Sequence, residues 1–353
     1  MRTVKAWAAP SATEPLTATT IERRDVGPND VLIEIAYAGI CHSDIHTIRN
    51  EWGEAHFPLT VGHEIAGVVT AVGSEVTKFK VGDRVGVGCF VDSCRACPNC
   101  QAGLEQYCTG GGMVGTYAGV GRDGQPTQGG YSGAIVVDEN YVLRVPESID
   151  YAAAAPLLCA GITLFSPLRH WNVGPGSKVA IIGLGGLGHM GVKFAKALGA
   201  HVVMITTTPE KGADAKRLGA DEVLVSRDAA QMKAHAGSFD FLLNTIPVSH
   251  DTNPYMGLLK REATMCLVGV LTELVRSDVY EWGSLMAGAL LGSIVEGGAA
   301  AGNGAAAPDL AVAYCPERVL PGRILIELID NDRVIGGITP RCSRRAMTFY
   351  RRF

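Results

Sequence analysis

Four cysteines crowd one short stretch: Cys94, Cys97, Cys100 and Cys108 follow the pattern C-x2-C-x2-C-x7-C. Two-residue gaps let neighbouring thiolates reach one ion, and Pro98 and Gly103 supply turns. Four thiolates at about 2.3 Å suit a tetrahedral Zn2+ closed to water, so this site would staple the chain rather than catalyse. An iron–sulfur cluster also takes four cysteines and is the competing occupant. Four free thiols in a loop are the plainer alternative, which this crowding disfavours.

A second donor set is scattered. Cys41 lies in GICHSDIH, His63 and Glu64 in GHE, and Cys159 in PLLCAG. Two thiolates and one imidazole leave one tetrahedral position open, the pattern of a catalytic zinc. Such an ion polarises a carbonyl or alkoxide oxygen. Spacing alone does not separate Cys159 from a core cysteine, because a lone apolar cysteine is usually packing. Asp44, three residues after Cys41, could orient His63 as a supporting carboxylate. Ser43 and His46 could pass a proton to solvent, although His46 alone reads as a turn histidine.

A third motif is Gly183, Gly185 and Gly188, a G-x-G-x-x-G between an apolar strand and a helix. The first glycine permits the turn, the second lets pyrophosphate approach, and the third allows helix–strand packing. The helix N-terminus then faces the phosphates. The next strand ends in Thr206, Thr207, Thr208, Pro209, Glu210 and Lys211. An NAD site wants an acidic residue there for the ribose 2′-hydroxyl. Three hydroxyls and a cation suit a 2′-phosphate better, which favours NADP despite Glu210.

Positioning these residues needs two kinds of element. The first ~150 residues read as short strands with glycine turns (31–40, 64–73, 83–90 and two within 133–146), a compact barrel-like β domain. After Asp150 the composition turns helical, then apolar strands near 177–183, 201–207, 221–226, 239–246 and 264–270 alternate with helices at 184–200 and 212–220. That rhythm indicates βαβ units on a parallel sheet. Residues 297–307 are nearly all Gly and Ala and read as a linker or weak helix. The chain has 353 residues, a prior of two domains. The expected division is 1–150, 151–298 and an atypical tail, 299–353. With 31 Lys+Arg against 35 Asp+Glu, no basic field exists to bind nucleic acid. No apolar run reaches the ~18 residues that span a bilayer, so a soluble cytoplasmic protein is expected. Cys89 and Cys266 read as core.

GICHSD at 39–44, GHE at 62–64, the four-cysteine lobe, CAGIT at 159–163 and GLGGLGH at 183–189 together resemble the zinc-containing medium-chain alcohol dehydrogenases. The nearest branch is the cinnamyl-alcohol-dehydrogenase-like, NADP-dependent one. The resemblance runs from residue 1 to about 298. It implies an α/β architecture, with a GroES-like β-rich catalytic domain followed by a Rossmann doubly wound parallel sheet. It implies catalytic zinc on Cys41, His63 and Cys159 with Glu64 as an alternating ligand, and structural zinc on the lobe. Ser43 and His46 match the proton relay. His42, Ser43, Thr163, Gly183, Leu184, Gly185, Gly186, Leu187, Gly188, Thr206, Thr207, Thr208, Lys211, Thr245, Gly269, Gly292, Ser293 and Ile294 match cofactor contacts. The implied activity is hydride transfer between NADP(H) and primary alcohols or aldehydes, aromatic or medium-chain, by a homodimer. A polyol or secondary-alcohol dehydrogenase, or a catalytically impaired zinc- and nucleotide-binding protein, are the alternatives. Trp52 and Phe57 are guesses at the substrate pocket. The tail departs: 308–353, with AYCPERVLPG and NDRVIGGITP, resembles an internal segment of UDP-N-acetylmannosamine-type nucleotide-sugar dehydrogenases.

Overall fold

The structure is a computed structural model that describes residues 1–53 and 55–269, and the backbone of 289–292, 312–314 and 336–337. The expected linker at 297–307, Ser293, Ile294 and nearly all of the tail lie outside the described residues. Two units divide the rest, one covering Met1–Ile162 and the second starting at Thr163.

The first unit opens with a hairpin that the sequence reading left unassigned, β1 (Arg2–Ala8) and β2 (Thr17–Arg23). Alternation in RTVKAWA puts Val4, Ala6 and Ala8 inward. Then follow β3 (Asp30–Ala38), α1 (His42–Ile48), β4 (Ile65–Val72), β5 (Arg84–Val87), β6 (Phe90–Asp92), α2 (Pro98–Gln101), β7 (Val114–Gly115), β8 (Ala134–Asp138) and β9 (Leu143–Arg144). Strands β8-β3-β4-β5-β9 form one antiparallel sheet, and β6 pairs with β7. Its core is β-branched: Val31, Ile33, Ile65, Val69, Val85, Val87, Ile135 and Val137 pack together with Tyr141. Cys89 lies between β5 and β6 and is only partly buried, so it borders this core rather than filling it.

Residues 151–170 do not form one helix. Tyr151–Ala154 (α3) leads into a 3-10 turn, Ala155–Leu158, and Ala160–His170 (α4) begins afresh. Pro156 lacks an amide proton, and Cys159 takes φ −130° and ψ −76°, outside helical values. That break frees the Cys159 side chain from helical packing.

In the second unit, β10 (Lys178–Ile182), α5 (Gly186–Ala197), β11 (His201–Thr206), α6 (Gly212–Leu218), β12 (Glu222–Val225), α7 (Ala229–Ala234), β13 (Phe239–Asn244), α8 (Asn253–Met256) and β14 (Leu259–Leu267) alternate. The sheet order is β12-β11-β10-β13-β14, all parallel, continued by β15 (Ala289–Gly292), β16 (Val312–Tyr314) and β17 (Gly336–Gly337). Parallel strands covered on both faces read as continuous apolar runs, as in Val179–Ile182 and Val202–Ile205. Cys266 is buried in β14. Of the described tail strands, β16 pairs parallel with β15 and β17 pairs antiparallel with β16. Among the described residues no single helix is long and apolar enough to cross a membrane.

Candidate metal and cofactor sites

In the lobe, the sulfurs of Cys94, Cys97, Cys100 and Cys108 all lie within 4.8 Å of one another. Cys94 and Cys100 are 3.8 Å apart, and Cys97 and Cys100 3.5 Å. A tetrahedron with Zn–S near 2.3 Å has edges of about 3.8 Å, so the donors fit zinc. Backbone N–H groups point at the sulfurs: Cys97 donates to Cys94 and Cys94 to Cys108, each at 3.2 Å. Donors of this kind stabilise thiolates; the Cys100 amide helps push the Cys97 thiol down to about 5. The Ser93 hydroxyl, 3.2 Å from the Cys100 sulfur and 2.7 Å from the buried Tyr141 hydroxyl, ties the lobe to the β core.

The second set converges as well. One ligand atom each from Cys41, His63 and Cys159 falls within the same 4.8 Å span. The Cys41 and Cys159 sulfurs, 118 residues apart, stand 3.9 Å from each other. Cys41 caps the N-terminus of α1, and Asp44 at its third position accepts the Cys41 amide at 2.9 Å, a reciprocal cap. The hydrogen bond between Cys41 and Cys159 pushes the Cys41 thiol down to about 4, against burial.

His63 Nδ1 is 3.0 Å from Asp44 Oδ1, which leaves Nε2 for an ion. The same Asp44 oxygen accepts the Gly62 amide at 3.2 Å. Its other oxygen accepts the Tyr131 hydroxyl at 3.0 Å. The Tyr117 hydroxyl is 3.1 Å from His63 Nδ1. Burial and the charge of Asp44 raise both phenols, which therefore keep their protons. Neither tyrosine was visible to sequence reasoning, since Tyr131 meets Asp44 and Tyr117 meets His63 only through the fold.

Glu64 is buried beside this group but is not drawn into it. Its Oε1 is 3.5 Å from the Ala160 amide, and burial, then the charge of Cys41, raises its carboxyl to about 7. Gly39 is required next to it, because a Cβ there would lie 2.0 Å from Glu64 Oε2. Ser43 Oγ is 3.5 Å from the Cys41 sulfur. His46 bonds Glu51 through Nδ1 and is sandwiched between the rings of His42, at 4.6 Å, and Trp52, at 5.0 Å. Glu51 is a third residue the sequence reading missed. Trp52 thus covers the histidine, and Phe57 makes no described contact with this group.

In the second unit Gly183, at φ +92°, makes the turn out of β10. The Thr245 hydroxyl pins that turn, donating to Ile182 O at 2.8 Å and Gly183 O at 3.1 Å. A Cβ on Gly188 would sit 1.8 Å from Gly183 O, whereas one on Gly185 or Gly186 would meet nothing within 4 Å. The third glycine is therefore demanded by the protein itself, and the middle ones leave room for a ligand. Gly185 precedes α5 with no side-chain cap, so the first amides of that helix remain for an anion. Leu184 and Leu187 flank the loop, half-buried.

Of the three threonine hydroxyls expected at the 2′-phosphate, Thr206 is buried inside β11. Thr207 is exposed and Thr208 half-buried. Only the latter two face outward enough to meet a ligand. Lys211 Nζ reaches to 3.5 Å from Leu184 O, joining this turn to the glycine loop. The Thr208 hydroxyl holds the Glu210 carboxyl below its usual range. Gly269 packs against Ile246, where a Cβ would meet the carbonyl at 2.1 Å. Thr163 lies in α4, and Gly292 ends β15.

Comparison with known proteins follows the same division. The family described as "Alcohol dehydrogenase GroES-like domain" matches residues 27–147, and "Zinc-binding dehydrogenase" matches 186–299. The "UDP-glucose/GDP-mannose dehydrogenase family, NAD binding domain" matches 290–353, so the second resemblance begins before residue 308. The NADP-dependent alcohol dehydrogenase C 1 of Mycolicibacterium smegmatis is 64% identical over 270 residues, 76% of this chain and 77% of that protein. The NADP-dependent alcohol dehydrogenase C of Mycobacterium tuberculosis is 52% identical over 95% of this chain and 93% of its own length. The structure of a cinnamyl alcohol dehydrogenase from Sorghum bicolor superposes with a TM-score of 0.78 at 46% identity, covering 82% of this chain and 83% of that one. The chain belongs to the zinc-containing medium-chain alcohol dehydrogenases, on the NADP-dependent branch with the cinnamyl alcohol dehydrogenases.

Proposed function

We propose that this chain reversibly reduces primary aldehydes, aromatic or medium-chain, to primary alcohols with NADPH. The observation that carries the reading is the convergence of Cys41, His63 and Cys159 with Asp44 bound to the rear nitrogen of His63. When bound, zinc supplies Lewis acidity toward the carbonyl oxygen and NADPH supplies the hydride. Asp44 fixes the His63 tautomer so that Nε2 faces the ion. Ser43 Oγ is the proton donor at the oxygen, and His46 replaces that proton from solvent while Glu51 holds its Nδ1. Glu64, whose carboxyl is raised to about 7 by burial, would serve as the alternating ligand at the open position. The lobe cysteines hold a second, structural zinc. The glycine loop takes the pyrophosphate, and Thr207, Thr208 and Lys211 take the 2′-phosphate. The protein is proposed to work in the cytoplasm as a homodimer.

The test is to follow nicotinamide absorbance with zinc-loaded protein, NADPH and cinnamaldehyde or benzaldehyde. Turnover is expected, with NADH a much poorer donor. Replacing Lys211 by Ala removes a charge-assisted hydrogen bond of about 1.5–3 kcal/mol. KM for NADPH should then rise about 10- to 100-fold, with KM for NADH little changed. No turnover with any aldehyde would remove the enzymatic reading. The C-terminal match to another dehydrogenase family favours one alternative, a chain that binds zinc and nucleotide without turnover. Two zinc ions and bound NADPH with zero turnover would select it.

A further inference from the structure

We propose that Tyr131 and Tyr117 are positioning residues for the catalytic metal, Tyr131 acting on His63 through the Asp44 carboxylate and Tyr117 acting at the His63 ring itself. This rests on the reading of Cys41, His63 and Cys159 as zinc ligands. Asp44 is 1% exposed, so its carboxylate depends on hydrogen-bond donors inside the fold. Its donors come from three separate segments. The Cys41 amide belongs to one ligand-bearing segment, and the Gly62 amide and His63 imidazole to another. The Tyr131 hydroxyl comes from a third that carries no ligand.

That third segment is fixed independently of the carboxylate. Its backbone pairs with residues 60–62: Gly129 donates to Thr60 O and Gly130 to Gly62 O at 2.7 Å each, and Tyr131 to Val61 O at 2.9 Å. The buried Arg23 guanidinium donates to Gly129 O at 2.7 Å and Ala134 O at 2.9 Å. The Tyr131 ring packs against Gly62, where a Cβ would be 2.6 Å from its Cδ1. The hydroxyl therefore arrives at Asp44 from a rigid frame and sets the carboxylate's rotation. Tyr117 meets the same centre, with its hydroxyl 3.1 Å from His63 Nδ1 and its ring 5.5 Å from the imidazole. A carboxylate that cannot rotate gives an imidazole that cannot rotate, and the direction of Nε2 is what a tetrahedral ion selects.

The test uses the full chain carrying Tyr131→Phe, Tyr117→Phe, or both. Phenylalanine keeps each ring where it packs. Zinc affinity is read by chelator competition, and the catalytic site by the ligand-field and thiolate charge-transfer bands of the cobalt-substituted protein. Each single variant is expected to weaken zinc at the open site about 10-fold and to shift the cobalt bands. The four-cysteine site should keep its ion at unchanged affinity, which reports that the fold is intact. In an Asp44→Asn background, adding Tyr131→Phe should change affinity less than twofold, because the phenol acts through the carboxylate. Wild-type affinity and wild-type cobalt bands in the double tyrosine variant would overturn the proposal. Equal weakening of both metal sites would also overturn it, by showing a general structural role. A wild-type chain binding zinc only at the lobe would overturn the ligand reading underneath.

Discussion

Replacing Cys159 by serine is expected to cost the chain one zinc ion, leave the other in place, and lower turnover by about 10³-fold or more. A serine hydroxyl is not ionised near neutral pH, whereas the pair of sulfurs 3.9 Å apart supplies two thiolates. Lewis-acid stabilisation is worth several kcal/mol of the barrier, and each 1.36 kcal/mol is a factor of ten in rate. The fold should survive, because Cys159 follows a helical break rather than filling a helix interior. Metal analysis and steady-state kinetics on the same preparation check this. A C159S protein that retains both ions and full turnover would remove Cys159 from the metal site.

The second large effect is expected at the glycine loop, where two alanine variants should fail differently. In Gly188→Ala the new Cβ would stand 1.8 Å from Gly183 O, so strand end and helix must move apart. Such overpacking costs about 1–3 kcal/mol, read as a drop of several degrees in melting temperature with or without cofactor. Gly185→Ala meets nothing within 4 Å and should leave the apoprotein's melting temperature unchanged. It should nonetheless weaken NADPH, about 10-fold or more, because the methyl occupies the space kept for pyrophosphate. Thermal melts and cofactor titration separate the two. Equal melting temperatures for both variants would show that Gly188 is not a packing requirement.

Local features were legible in the chain. The lobe is read from spacing because its four donors share one loop, and the glycine loop because strand, turn and helix are contiguous. The parallel sheet is read from apolar runs at regular intervals. What depends on distant segments was less legible. Cys159 could be paired with Cys41 only by resemblance, since no local pattern spans 118 residues. Tyr117, Tyr131 and Glu51 carry no signal until folding brings them to His63, Asp44 and His46 respectively. Thr206 misled for a periodic reason: in a strand covered on both faces a threonine is as easily interior as facing a ligand. The stretch after Asp150, read only as helical in composition, does form helical turns, but they break at Pro156 and Cys159.

The stack of His42, His46 and Trp52 has a practical corollary. An indole at 5.0 Å from an imidazole loses emission when that imidazole takes up a proton, because the cation accepts an electron from the excited ring. Trp52 is thus a built-in fluorophore beside the histidine proposed to relay the proton, and once the other three tryptophans are replaced it would report the charge on that ring without a label and without a substrate.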